Sequence, residues 1–157
     1  MFDELRRVRD VVTRAVGALD VDCMDGASQR VLFDLLEDIK RPIAAAQALV
    51  VGGMERTGAW EDGRAKSPQA WVADRTGGSW GEACATVELG HGLRACPDTA
   101  TALLDGRIST TQAGLVARAA SVDPQAEYRM LDLAGRASAK ELKDAAQRVV
   151  ASASGQT

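Results

Sequence analysis

Aromatic residues make up only 4% of this 157-residue chain and proline occurs four times, so alanine, valine and leucine supply most of the apolar content. That composition favours helices over sheets. No apolar run approaches the roughly 20 residues that a bilayer-spanning helix needs, which excludes such a span. Positive charge is not in excess either: 19 Lys and Arg face 22 Asp and Glu, a net charge of −3. A bulk field drawing the chain onto phosphate backbones is thereby excluded, and any contact with nucleic acid has to be local. The three cysteines, Cys23, Cys84 and Cys96, are odd in number and not closely paired. No basic-then-apolar leader opens the chain, so a reducing cytoplasm is the expected location.

What is present is helical periodicity. Phe2, Leu5, Val8, Val12, Val16 and Leu19 recur at spacings of three and four, one face of a helix. After a polar break at Asp20 to Gly26, a longer series runs through Leu32, Leu35, Leu36, Ile39, Ile43, Ala46 and Val50 to Gly52-Gly53. Pro42 falls inside it, where a kink or restart is expected. The two helices are expected to pair antiparallel. Arg6, Arg7, Arg9 and Arg14 are interleaved with Asp3, Glu4 and Asp10, which reads as a solvated face.

The stretch Glu55 to Lys66 is punctuated by glycine and carries Trp60, the mark of a loop held by an aromatic anchor. Beyond it the start signals become clear. Ser67-Pro68 supplies an N-cap and a first-turn proline, and Ser79-x-x-Glu82, Ser109-x-x-Gln112 and Ser138-x-x-Glu141 have capping-box form. Pro97 and Pro124 mark two further starts, while Gly77, Gly106 and Gly135 stand where helices stop. The reading is an all-α multi-helix bundle, with two long N-terminal helices followed by about six short ones beginning near 68, 79, 97, 109, 124 and 138. One domain is expected over 1–152, with a helical pair at 1–53, a loop at 54–66, a short-helix region at 67–152 and a frayed tail at 153–157.

Ala73 to Gly90 raises the question of function. A helix-turn-helix wants a small residue in the first helix and a turn glycine four positions on, and Ala73 and Gly77 satisfy this. Val72 and Leu89 suit core positions, whereas Gly78 and Thr86 fall where apolar residues are usual. Ser79 as cap would set free backbone N–H groups, with Ser79 and Trp80 beside them, at the end that enters a groove. Arg64, Lys66 and Arg75 are the candidates for holding phosphate there. Glu61, Asp62 and Asp74 cancel much of their field, and Glu82 and Glu88 oppose the single Arg94 in the second helix. The competing reading has Trp71, Trp80, Val87 and Leu89 knitting two helices into a core. A second segment around Gly106 and Ser109 offers Arg107, Gln112 and Arg118 as further DNA contacts.

The order Gly58-Ala59-Trp60, Asp62-Gly63, Ser67-Pro68 to Trp71 and Thr76-Gly77 carries a resemblance, which continues through the alanine-rich segment after Ser79 to Cys96-Pro97 and to Asp105-Gly106-Arg107-Ile108-Ser109 with Gln112-Ala113. Over roughly residues 30 to 150 the chain resembles the N-terminal domain of unknown function in actinobacterial HNH-endonuclease-associated proteins, the thirteen-E-twelve repeat family. The resemblance implies an all-helical region followed, in full-length relatives, by a small metal-dependent nuclease domain. That chemistry needs a water-activating histidine and His, Asn or Asp ligands. This chain has no asparagine and one histidine, His91, so no residue of the nuclease motif carries over.

Cys84 and His91 are seven apart and share a helix face, with Cys96 just beyond. Zinc sites use close ligand pairs, which this spacing lacks, and alanine-flanked cysteines are ordinarily small core residues. Neither catalytic residues, nor a metal, nor a cofactor is expected. DNA, an HNH nuclease domain or a second copy of the chain are the expected partners, and a membrane is not. The chain is read as a DNA-holding accessory to a nuclease, or else as a protein-interaction or oligomerisation domain in which the apolar surface of the first two helices forms a seam.

Overall fold

A computed structural model describes residues 1–155. Among them are eight α-helices and no strand: α1 Phe2–Gly17, α2 Gly26–Thr57, α3 Pro68–Thr76, α4 Trp80–Leu93, α5 Pro97–Leu104, α6 Thr110–Ala120, α7 Ala126–Ala134 and α8 Ala139–Ser154. A short 3-10 turn, Val21–Cys23, lies in the polar break. The all-α expectation and the order of long helices before short ones are met. No helix is long and apolar enough to cross a membrane among the described residues.

The chain divides into two compact units, 1–37 and 38–157, and the boundary between them falls inside α2. In the first unit α1 has no buried residue. Asp25 accepts the Ser28 amide at 2.7 Å and so starts α2, and Gln29 donates back to the Val21 carbonyl at 3.2 Å, which fastens the turn.

The second unit is built on small residues. α6 is its centre, packing against α4, α5, α7 and α8, and it buries Ala113, Val116, Ala117, Ala119 and Ala120. Leu93, Leu103 and Leu142 fill the remaining space at 2% exposure or less. The final part of α2 buries Ala45, Ala48, Val51 and Gly52. Here Gly52-Gly53 does not stop the helix as expected. A Cβ on Gly52 would lie 2.5 Å from the Gly90 carbonyl oxygen, and one on Gly90 would collide with the Ala48 carbonyl. The glycines let two helix backbones touch, so α2 continues to Thr57 and shortens the loop expected from residue 54. The helix also runs through Pro42 without interruption, although proline there removes the N–H that the Asp38 carbonyl would otherwise accept from.

The capping boxes form as written, with Ser79, Ser109 and Ser138 each accepting from the N3 amide. Gly77, at φ +64, ends α3 in the left-handed conformation that glycine adopts without steric cost. α7 begins two residues beyond Pro124. α8 extends through Ser154, so the expected tail is helical for its first residues. Residues 156–157 lie outside those described.

Candidate nucleic-acid interface

α3 and α4 are joined by three residues, Gly77, Gly78 and Ser79, the length of a helix-turn-helix turn. Val72, Ala83 and Val87 are buried together with Val51, and Trp71 and Ala73 pack against them. Leu89 lies in the larger core cluster. Of the two readings of Trp80, packing in the core is not met: the residue is 59% exposed at the first position of α4. Helical phase sets residue 80 on the same side as the buried Ala83 and Val87, three and seven residues on, so its exposure comes from its place at the first position of α4, at the end of that face. Thr86 fits where an apolar residue seemed required because its hydroxyl donates to the Glu82 carbonyl at 3.0 Å.

The loop before α3 is organised by Asp62. Its carboxylate accepts the amides of Arg64 at 3.0 Å and Ala65 at 3.2 Å, and Arg75 from the last turn of α3 lies 3.9 Å away. Those backbone N–H groups first, then the Trp71 side chain and Arg75, hold its carboxyl below the ordinary 3.8. Arg75 also stacks over the Trp71 ring at 5.1 Å. Loop and helix are thus joined through an acid–arginine–indole stack in which Arg75 is partly neutralised. Arg64 and Lys66 are exposed and make no ion pair among the described residues.

Ser79 does not leave the N-terminus of α4 wholly free. Its amide and its hydroxyl both donate to Glu82 Oε2, at 2.7 and 2.8 Å, and its Oγ accepts the Glu82 amide at 3.2 Å. The first of these bonds, then the hydroxyl, lowers the Glu82 carboxyl below its ordinary 4.5. An anion approaching this end meets Glu82, leaving the first-turn amides of Trp80 and Gly81 for it to engage. The second candidate segment is more constrained. Gln112 closes its cap by accepting the Ser109 amide at 2.8 Å and spends its amide nitrogen on the Ala134 carbonyl at 3.0 Å, tying α6 to the end of α7. Gln112 is therefore a tie between helices and not an outward-facing contact. Arg107 is exposed but 3.6 Å from Asp105, and Arg118 is exposed on α6.

The thiols and the histidine do not assemble. Among the described residues no three His, Cys, Asp or Glu side chains are grouped to hold a metal. Cys96 is buried, and burial, with a smaller contribution from the Glu127 charge, pushes its thiol up. A thiol so placed is a poor nucleophile. His91 projects outward, 3.5 Å from Glu55.

One polar tie had no counterpart in the sequence reading. Glu127 of α7 accepts both the amide and the hydroxyl of fully buried Thr99, each at 2.8 Å, at the start of α5. Cys96 makes no side-chain cap bond there. An N-cap of the wrong residue type is the signal that another acceptor has to come from elsewhere in the chain.

Helices alone, a glycine-turned helix pair and the absence of a grouped metal-ligand set among the described residues define a small helical module. The profile of the family described as Domain of unknown function (DUF222) matches residues 33–154, and the chain belongs to that family. No curated protein and no solved structure matches it.

Proposed function

We propose that the chain is a non-catalytic accessory module that holds DNA weakly for a nuclease, with the α3–α4 pair as the contact. The observation that carries this reading is the exposed Trp80 beside Ser79, at the leading end of a helix joined to its neighbour by a three-residue glycine turn. An indole in that place offers a stacking and wedging surface that needs no net charge. Arg64 and Lys66, just before α3, supply phosphate contacts. Residues 38–157 carry 14 Lys or Arg against 14 Asp or Glu, so affinity is low and sequence preference slight. The likeness of residues 58–113 to actinobacterial HNH-associated proteins supports a nuclease domain, joined or separate, as the catalytic partner.

Fluorescence anisotropy on a labelled duplex at low salt tests the reading. With about two phosphates neutralised, log K falls against log salt with a slope of about −2. Arg64→Ala with Lys66→Ala flattens that slope, and Trp80→Ala weakens binding while leaving the thermal midpoint in place. Wild-type protein that shows no binding at the lowest salt overturns the proposal. Metal-dependent nicking of plasmid by the purified chain, lost in His91→Ala, overturns its non-catalytic part.

A second reading, a protein-interaction module, is favoured by a separate observation: the apolar side chains of residues 1–37 are largely exposed.

A further inference from the structure

Helix α1 has 16 residues and none of them is buried. An isolated helix of that length is marginal in water, and in folded proteins such helices persist because an apolar face is packed. α1 has the face without the packing. Phe2, Leu5, Val8 and Val16 are 70%, 60%, 51% and 46% exposed and, with half-buried Val12, form one stripe, while seven charged residues occupy the other sides. Val31, Phe33, Leu35 and Leu36 at the start of α2 are exposed as well. The α1 stripe alone presents on the order of 400 Å² of surface, as large as the apolar patch a monomer ordinarily leaves, and the exposed side chains of α2 add to what is uncovered.

We infer that the occupant of this face is a second copy of the chain, with α1 packed antiparallel on α1 across a two-fold axis near Val8. An isologous interface requires a surface complementary to itself. α1 meets that requirement when reversed: Phe2 comes opposite Val16 of the second copy and Leu5 opposite Val12, a larger side chain facing a smaller one on both sides of the axis. The charge pattern reverses with it. The first turn is acidic, with Asp3 and Glu4, and the last is basic, with Arg14. Antiparallel pairing brings opposite signs together at both ends and opposes the helix dipoles, whereas parallel pairing sets the acidic turns side by side. This inference is independent of the DNA reading.

Sedimentation equilibrium of the full chain across the micromolar range reads the association directly. A dimer of twice 16.6 kDa is expected. Val8→Asp places a charge at the axis and shifts the chain to the monomer mass. Because Val8 is exposed within its own chain, the same variant keeps the thermal transition of residues 38–157. In a Cys23→Ser, Cys84→Ser background, mild oxidation of Val8→Cys gives a disulfide-linked pair. Arg7→Cys, about 160° round the helix from the centre of the stripe, does not. A wild-type chain that stays monomeric, a dimer untouched by Val8→Asp, or equal cross-linking from Val8→Cys and Arg7→Cys overturns the inference.

Discussion

Residues 1–37 and residues 38–157 use apolar side chains in opposite ways. The first unit has large ones, Phe2, Leu5, Val8, Phe33 and Leu35, and leaves them exposed. The second has many small ones, and its helices approach until backbone nearly meets backbone at Gly52 and Gly90. Side-chain size alone therefore does not decide which part forms a core. Closeness of approach does: alanine and glycine on facing helices exclude water with little side-chain entropy to lose, while a large residue needs a facing surface of its own.

The contrast is broken most directly at the helix crossing. Gly90→Val forces a side chain against the α2 backbone, which has no flexible end to yield, and a loss of about 3 kcal/mol or more is expected in chemical denaturation. A variant as stable as wild type would mean that α2 and α4 are further apart than described. Next come paired truncations. Leu103→Ala removes a fully buried side chain and is expected to cost about 2–5 kcal/mol. Leu5→Ala, measured in dilute monomer, is expected to change stability by less than about 0.5 kcal/mol. Similar effects at the two positions would erase the distinction between the units.

Smaller effects sharpen the comparison. Ser79→Ala removes the α4 cap and is expected to cost about 1 kcal/mol. In the opposite direction, Gly53→Ala is expected to stabilise by about 0.5–1 kcal/mol, since Gly53 is helical and has nothing within 4 Å of where its Cβ would lie. Gly53 would then be the replaceable neighbour of a Gly52 that cannot change. Acid supplies the last test. Backbone amides first, and then serine hydroxyls, lower the Asp25, Glu82 and Glu141 carboxyls in the folded state. The unfolded chain consequently binds more protons at low pH, so this stabilisation is fully present above the ordinary values of 3.8 and 4.5 and is lost as pH falls through the folded ones. The thermal midpoint of wild type should fall from pH 5 to pH 3, and Glu82→Gln with Glu141→Gln should make that fall shallower. An unaltered pH dependence in the double variant would remove the caps from the account.

The short helices were readable from the sequence because their boundaries are local chemistry. A serine with an acid or glutamine three residues later satisfies N–H groups within one turn, so Ser79, Ser109 and Ser138 announce their helices whatever packs above them. The Gly52-Gly53 pair misled for the complementary reason. Its meaning depends on Gly90, which lies far along the chain, and a stop glycine and a contact glycine are written alike. Trp80 had two readings, a groove-end contact and a packing residue, and periodicity could not choose between them because it shares a face with Ala83 and Val87 while standing at the very end of α4. Among the interface residues, the acids opposing Arg64, Lys66 and Arg75 were visible in the sequence. Which acid closes on which cation was not, because Asp62 meets Arg75 only once the loop turns back on α3. Nor does sequence spacing reveal that Gln112 is occupied by the Ala134 carbonyl.

The reach of Glu127 to Thr99 makes the first turn of α5 depend on a later part of the chain. α5 has eight residues, too few to persist alone, and the acceptor for its first turn stands 28 positions later, on α7. While the chain is being made, the segment 97–104 leaves the ribosome before residue 127, the acceptor of its Thr99 amide, has followed. The shortest helix of the second unit is thus completed by one that is synthesised after it, and any product ending between the two would carry α5 as an unfastened segment.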